Sequence, residues 1–320
     1  MAAVIRHRAA VIGSPVSHSL SPVLHRAAYA GLGLDHWSYE RRETAPPELP
    51  GLLAELAAPV QAGPVWAGLS VTMPHKQALL AHLDVIDPLA EAVGAVNTVV
   101  AQRSGAGGAL LAGFNTDVAG IVGALRETAR RRAPGSPDDC FRVEQAVVLG
   151  SGATACSALA ALGELRAGRI TVVARRHAGP GRALSAAHRM GLDIEPLTWK
   201  PADSASNTEA ARRLAAADVV ISTLPAGAAD PLAGPTDAFT GRSGRTRSAA
   251  VMLDVVYAPW PTALAQAWGR AGGAVAPGWL MLLHQAVPQV QLMTGQQPDI
   301  EDMRAALRSA LNSTSASADD

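Results

Sequence analysis

The chain has 320 residues, 48% of them hydrophobic and 17% charged, with 27 basic against 27 acidic side chains. That length suits about two domains with cores of their own, and a formal charge of zero leaves no basic footprint for a nucleic acid or an anionic membrane surface. No apolar run reaches the ~18 residues of a membrane span, and the two cysteines, Cys140 and Cys156, form neither a disulfide framework nor a metal-ligand spacing, which fits a reducing compartment.

The opening M-A-A-V-I-R-H-R carries charge too early for a secretory signal, so the expected location is the cytoplasm. Ala9 to Gly13 reads as a first strand and runs into G-S-P-V-S-H-S-L-S-P-V-L-H, Gly13 to His25. Ser21 before Pro22 reads as a hydroxyl cap with proline at the first helical position. Val23, Leu24, Ala27 and Ala28 then share one helical face, closed by Gly31 or Gly33. Ser19 and Ser21 thus fall at a helix start, where a hydroxyl either caps the helix or meets a polar ligand.

Asp35 to Arg41 reads as a strand, Pro46 to Ala57 as a helix and Val65 to Val71 as a third strand. The third strand feeds G-L-S-V-T-M-P-H-K, Gly68 to Lys76. Pro74 is expected in the first turn of a helix continued by Ala78, Leu79 and Leu80. Lys76 would then stand at the wrong end of that helix for a cation, which suits it to trade a proton, though a solvent-facing lysine fits the same pattern. Gly94 to Thr98 leads into a strand at Val99 to Gln102. A Gly-rich hairpin loop, Ser104 to Gly108, returns through Leu110 and Leu111 to G-F-N-T-D, Gly113 to Asp117. Asp117 is either a helix cap or a carboxylate that orients a substrate hydroxyl and holds an ammonium. A helix from about Val118 to Arg132 and a polar turn cluster, Ala133 to Asp139, close this half.

Ala146 to Gly163 then reads as strand, glycine turn and helix. Val147 to Leu149 ends in Gly150-Ser151-Gly152, and an Ala-rich helix follows. A helix opened this way offers free N–H groups and a positive dipole end to a phosphate. Gly150 permits the turn and Gly152 lets a pyrophosphate approach, although the third glycine of the dinucleotide fingerprint is replaced within Ala153-Thr154-Ala155. Strands follow at Ile170 to Ala174, Asp193 to Leu197, Asp218 to Ser222 and Val251 to Val255, with helices near Arg182 to Met190 and Ala210 to Ala216. Their apolar strands lack alternation, which argues for a parallel sheet covered on both faces. Pro225 to Arg247 reads as a long loop. The second strand ends in Arg175-Arg176, where an NAD site places a carboxylate about 20 residues after the glycines. Arginine there, with Arg182 beyond, favours a 2′-phosphate and hence NADP. Trp279 to Met293 is helical in pattern, with a kink or interruption expected at Pro288. It carries Gln285 among leucines, a buried amide that needs a partner in the protein or in a substrate. From Asn312 the chain reads as a frayed tail.

In order along the chain stand HSLSP (His18 to Pro22), SVTMPHK (Ser70 to Lys76), GAVNT (Gly94 to Thr98), FNTD (Phe114 to Asp117), GSGATA (Gly150 to Ala155), D-x-x-Y-x-P (Asp254 to Pro259) and G-x-x-M-L-x-x-Q (Gly278 to Gln285). This ordered set resembles the shikimate dehydrogenase family. The resemblance implies an α/β protein of two α/β domains: a discontinuous N-terminal substrate domain, 1–117 completed by 278–311, and a Rossmann-like NADP-binding domain, 118–277, with 312–320 a disordered tail. It implies the NADP-linked reduction of 3-dehydroshikimate to shikimate, in a cleft between the domains. Lys76 and Asp117 are the implied catalytic pair, Ser19 and Ser21 the implied carboxylate contacts, and Tyr257 an implied substrate-binding residue near the carboxylate. Thr72, Asn97, Asp117 and Gln285 are the implied ring-hydroxyl contacts. Gly150, Ser151, Gly152, Ala153, Thr154, Arg175, Arg176, Arg182, Thr223 and Gly278 are the implied cofactor contacts. The family usually has Asn where this chain has Ser70, so a substrate hydrogen bond is expected to be lost or water-mediated. Its N-R-T after the second cofactor strand is here Ala174-Arg175-Arg176. The partners expected are a small-molecule substrate, no nucleic acid and no membrane, with a homodimer left open; no metal is expected. Quinate or an amino-shikimate, with NAD or NADP, is the nearest alternative substrate. A non-catalytic sensor of shikimate-like ligands is the other alternative, against which Lys76 and Asp117 are retained.

Overall fold

A computed structural model describes residues 5–60, 63–132, 141–243 and 250–316. The chain divides into two compact units: residues 1–116 with 283–320, and residues 117–282. The expected turn cluster at 133–139 and Cys140 lie outside the described residues, as do 317–320.

The first unit contains β1 (His7–Gly13), α1 (Ser21–Gly31), β2 (Trp37–Glu43), α2 (Leu49–Ala57), β3 (Val65–Val71), β4 (Val85–Ile86), α3 (Pro88–Val93), β5 (Thr98–Arg103) and β6 (Ala109–Phe114). Its sheet runs β2-β1-β3-β5-β6-β4. The β1 pairs are parallel, whereas β5 is antiparallel to both β3 and β6. One face is covered by Leu49, Leu52, Leu53 and Leu56 of α2, packed on Ile12, Leu69, Val71 and Val99. The spacing of those leucines, three and four apart, turns one stripe of α2 inward. Residues 283–316 finish this unit. They contribute the rest of α10 (Gly278–Thr294) and α11 (Ile300–Ala316), and α11 packs along α1.

The second unit contains α4 (Asp117–Arg132), β7 (Gln145–Leu149), α5 (Ala153–Glu164), β8 (Arg169–Ala174), α6 (Ala183–Met190), β9 (Ile194–Thr198), α7 (Ser204–Ala216), β10 (Val219–Ser222), α8 (Ala233–Ser243), β11 (Val251–Asp254), α9 (Ala263–Arg270) and β12 (Ala274–Pro277). Its sheet, β12-β11-β10-β7-β8-β9, is parallel throughout. Order reverses between β7 and β10, the switch point at which open α/β sheets bind ligands.

Four expectations are corrected. Within the expected loop at 225–247, of which 244–247 lie outside the described residues, a 3-10 turn at Asp230–Leu232 leads into α8, because Ala229 and Leu232 bury against Val147, Leu214 and Met252. Tertiary burial overrides a Gly- and Pro-rich composition there. The stretch after Pro74 is not an α-helix but turns followed by a 3-10 run, Ala78–His82. Lys76 therefore sits on turns ahead of a short 3-10 run rather than in the first turn of an α-helix. Ser21 is the first residue of α1 rather than its cap. Leu20 holds the cap position, and the Ser21 amide donates to Ser19 Oγ at 3.3 Å. The expected tail from Asn312 begins as helix, since α11 continues through Ala316.

Candidate active site

In the first unit the site is built at the carboxyl ends of β1 and β3. The loop after β1 and the loop after β3 are fastened to each other: the Ser14 amide donates to the Met73 carbonyl at 3.0 Å and the Thr72 amide to the Ile12 carbonyl at 2.9 Å. Gly13 is required there, since a side chain would run into the Thr72 methyl and the Met73 carbonyl. The end of β2 braces both loops. Glu43 accepts from the Val16 amide at 2.9 Å, Arg41 Nε donates to the Ser19 carbonyl at 2.8 Å, and the His75 ring bonds the Thr44 carbonyl at 2.7 Å. The Ser14 hydroxyl and the Val16 amide hold the Glu43 carboxyl below its ordinary value. Ser19 Oγ and Ser21 Oγ are 3.2 Å apart, both side chains buried. Two neighbouring hydroxyls can each donate to an oxygen, which suits a carboxylate.

Asn97 is the centre of the polar cluster. It is 1% exposed and lies between the β3 end and β6, its carbonyl accepting from the Val71 amide at 2.7 Å and its amide donating to the Phe114 carbonyl at 3.0 Å. Its Nδ2 donates to Gln285 Oε1 at 3.2 Å and to Thr116 Oγ1 at 2.9 Å, and its Oδ1 accepts from the Thr116 amide at 2.8 Å. Lys76 lies on the adjoining loop, where its carbonyl accepts from the Val96 amide at 2.7 Å. Ser19, Ser21, Thr72, Lys76, Asn97 and Gln285 therefore share one end of one sheet. Ser70 does not leave a gap where the family usually has Asn. The Tyr39 hydroxyl donates to it at 2.6 Å, and it donates to Gln289 Oε1 at 2.8 Å.

In the second unit, Gly150 takes φ 110° at the end of β7, and a side chain there would strike the Thr223 hydroxyl. Thr223 Oγ1 donates to the Leu149 carbonyl at 2.7 Å and locks the turn. Gly152 caps α5, whose first residues are Ala153 and Thr154. A side chain at Gly152 would meet no protein atom, so its absence keeps open the space before the helix start. Ser151 Oγ accepts from the Ala183 amide at 3.1 Å, which draws α6 to the glycine loop. Around this loop is a recess of about 400 Å³ lined by Gly150, Ser151, Gly152, Arg175, Arg176, Arg182 and Thr223, with Ala174, Trp199, Leu224 and Pro225. Three guanidinium groups and no carboxylate line it, which is the donor set for a phosphorylated ribose rather than for a free 2′-hydroxyl. These residues fit the adenosine half of NADP.

Gly278 is not among the residues lining the recess. It opens α10 packed against the Val255 and Val256 carbonyls, where no side chain fits. Tyr257 lies on the loop after β11, which buried Asp254 ties down by accepting from Thr262 Oγ1 at 2.7 Å and from the Val256 amide at 3.2 Å. Asp117 is the first residue of α4, directly after Thr116, and is buried. Trp199, Leu224 and Pro225 were not foreseen as recess walls. Trp199 follows β9 and is pinned by its Nε1 donating to Asn207 Oδ1 at 2.7 Å. Gln289 was missed as well, although it stands four residues after Gln285 on the same helix, a spacing that places both on one face.

Family models described as the shikimate dehydrogenase substrate binding domain and the shikimate 5'-dehydrogenase C-terminal domain match residues 11–99 and 278–308. The shikimate dehydrogenase (NADP(+)) of Citrifermentans bemidjiense is 37% identical over 304 residues, 95% of this chain and 95% of that protein. That of Rubrobacter xylanophilus is 36% identical, covering 93% of this chain and 94% of that protein. Among solved structures, Mycobacterium tuberculosis shikimate dehydrogenase matches with a TM-score of 0.73 at 38% identity, over 95% of this chain and 99% of that one. The Thermus thermophilus enzyme in complex with NADP(H) and shikimate matches with a TM-score of 0.71 at 33% identity, over 95% and 99%.

Proposed function

This chain belongs to the shikimate dehydrogenase family, and from that premise we propose that it catalyses the NADP-dependent, reversible reduction of 3-dehydroshikimate to shikimate, a step toward chorismate and the aromatic amino acids. One observation carries the reading. Four separate stretches, the Ser19–Ser21 helix start, the Thr72–Lys76 loop, Asn97 and Gln285, converge on one end of one sheet, with Asn97 and Gln285 in direct hydrogen bond.

NADPH, when bound, supplies the hydride to the ketone carbon. Lys76 delivers a proton to the ketone oxygen as it becomes an alkoxide, and takes it back in the reverse direction. Asp117 braces the Lys76 ammonium and accepts from the neighbouring ring hydroxyl, which orients the ring. Ser19, Ser21 and Tyr257 hold the substrate carboxylate, and Thr72, Asn97 and Gln285 hold ring hydroxyls. Gly150 to Thr154 receive the pyrophosphate on backbone N–H groups at the α5 start. Arg175, Arg176 and Arg182 hold the 2′-phosphate, with Thr223 keeping the turn in shape and Gly278 the adjoining loop. On this reading the substrate domain comprises residues 1–117 with 278–311, and the cofactor domain 118–277. No helix among the described residues is long and apolar enough to cross a membrane. We place the protein in the cytoplasm, acting on a small-molecule substrate without nucleic acid and with a second copy of itself as the candidate partner.

Initial rates with shikimate and with quinate, each with NADP+ and with NAD+, test the assignment. The expected outcome is a kcat/KM for shikimate with NADP+ above the other three by at least about a factor of ten. Equal or better turnover of quinate, or of NAD+, overturns it.

A further inference from the structure

We propose that Gln289 is a positioning residue for the substrate site. It fixes the side-chain amide of Asn97, and through it that of Gln285, in a single donor–acceptor orientation. The inference rests on the reading of Asn97 and Gln285 as substrate contacts.

Gln289 lies one helical turn beyond Gln285 on α10 and is 1% exposed. Two donors and two acceptor positions are in use. Oε1 accepts from Ser70 Oγ at 2.8 Å and from the His25 ring at 3.3 Å, and Nε2 donates to Thr98 Oγ1 at 2.9 Å and to the Asn97 carbonyl at 3.2 Å. The order of protons along this chain is then forced. The Tyr39 hydroxyl donates to Ser70, so Ser70 donates onward to the Gln289 carbonyl. His25 is wholly buried and stacked on Tyr39 with ring centroids 4.0 Å apart, and because an amide oxygen only accepts, Nε2 is the ring nitrogen that donates to it. Thr98 accepts from Gln289 and gives its single proton to Asn97 Oδ1 at 2.8 Å. Asn97 Oδ1 also accepts from the Thr116 amide, which leaves Nδ2 as the end that reaches Gln285 Oε1. Gln285 is thereby held with its carbonyl toward Asn97 and its amino end turned away from it. An amide has two orientations of nearly equal shape, and a buried network selects one because the other leaves polar groups unpaired.

The sharpest test is Gln289→Glu, which keeps the shape and replaces two donors with acceptors. Thr98 then turns its proton to the new carboxylate and withdraws one of the two donors that hold Asn97 Oδ1, leaving the Thr116 amide alone. Thr98→Val breaks the same step without touching α10, and Thr98→Ser restores the hydroxyl. Steady-state kinetics on the full chain with shikimate and NADP+ are expected to show KM for shikimate raised about tenfold or more in Gln289→Glu and Thr98→Val, with KM for NADP+ unchanged and kcat within about threefold. Thr98→Ser is expected within about twofold of the parent. A purely structural role moves the two KM values together and follows the melting temperature. Asn97→Ala serves as the reference. If it raises the shikimate KM while Gln289→Glu and Thr98→Val do not, the positioning role is overturned and the substrate site stands. If Asn97→Ala itself leaves that KM unchanged, the substrate reading fails and takes the positioning role with it. Should Gln289→Glu fail to fold, Thr98→Val against Thr98→Ser decides alone.

Discussion

The backbone at Lys76 is held independently of its ammonium: its carbonyl accepts from the Val96 amide, and its loop is tied through His75 to Thr44. Lys76→Ala should therefore remove the ammonium without moving the loop. We expect kcat lower by roughly 10²–10⁴-fold with KM within a few-fold, read by steady-state kinetics; a raised KM at unchanged kcat would make Lys76 a binding residue only. His25 carries a different prediction. Burial holds its pKa down to about 3, against which its bond to Gln289 is the smaller effect. The unfolded chain, with an ordinary histidine near 6.5, binds more protons between those two values. Stability therefore falls as pH drops through that window, at up to about 1.4 kcal/mol per pH unit. Denaturant unfolding between pH 7 and pH 4 should show this slope in the parent and a shallower one in His25→Gln. Arg175 and Arg176 are exposed at the recess, so each charge is partly screened. Arg176→Ala and Arg175→Ala should each raise KM for NADP+ several-fold up to about tenfold, and leave KM for NAD+ and for shikimate in place. A matched rise for NAD+ would move these side chains away from the 2′-phosphate.

The β7–α5 turn is the element whose conformation admits least change. Gly150 combines φ 110° with a Thr223 hydroxyl that a Cβ would overlap. Gly150→Ala should cost about 1–3 kcal/mol and raise KM for NADP+, whereas Gly152→Ala, with open space around it, should fold normally and weaken the cofactor alone. Thermal melts with and without NADP+ separate the two cases. Elements of this kind were legible in the sequence because a β-branched run, a glycine pair and an Ala-rich helix each state the same answer. Others were not. β4 has two residues and α3 six, too few to show a period, although Asp87 caps α3 through the Leu89 and Ala90 amides and Gly94 ends it in the left-handed region. α8 contains Gly234 and Pro235 and forms because Leu232 and Ala229 are anchored ahead of it. Lys76 was placed near a helix start for the opposite reason: Pro74 and three apolar residues imitate a helix signal, while His75 and Thr44, 31 positions apart, hold turns instead.

For the whole molecule, the two sheets and their difference were readable from patterning. Unalternating strands announced the all-parallel second sheet, and the hairpin at 104–108 announced the antiparallel pair β5–β6 in the first. Of the candidate site, Ser19, Asn97 and Gln285 are named by motifs, and the structure brings them to one end of one sheet. The site was hidden where function depends on contacts between distant stretches. Gln289 meets Ser70 across 219 positions and Thr98 across 191, and neither spacing leaves a trace in local periodicity. The same property makes a prediction at this scale. Removing α11 by ending the chain at Gly295 deletes the helix packed along α1, in contact at Gly31 and Asp302. The truncated protein should lose cooperative melting of the first unit while keeping the NADP-dependent thermal shift of the second, measured by calorimetry.

The first unit draws residues from both extremities of the chain, 1–116 and 283–320. During synthesis the ribosome therefore delivers every residue of the second unit before it delivers the last strokes of the first. The half begun earliest is completed latest, and the face of α1 on which α11 packs waits while the residues of the other half are already made. A nascent chain therefore carries that face of α1 open until α11 has been made and can close over it.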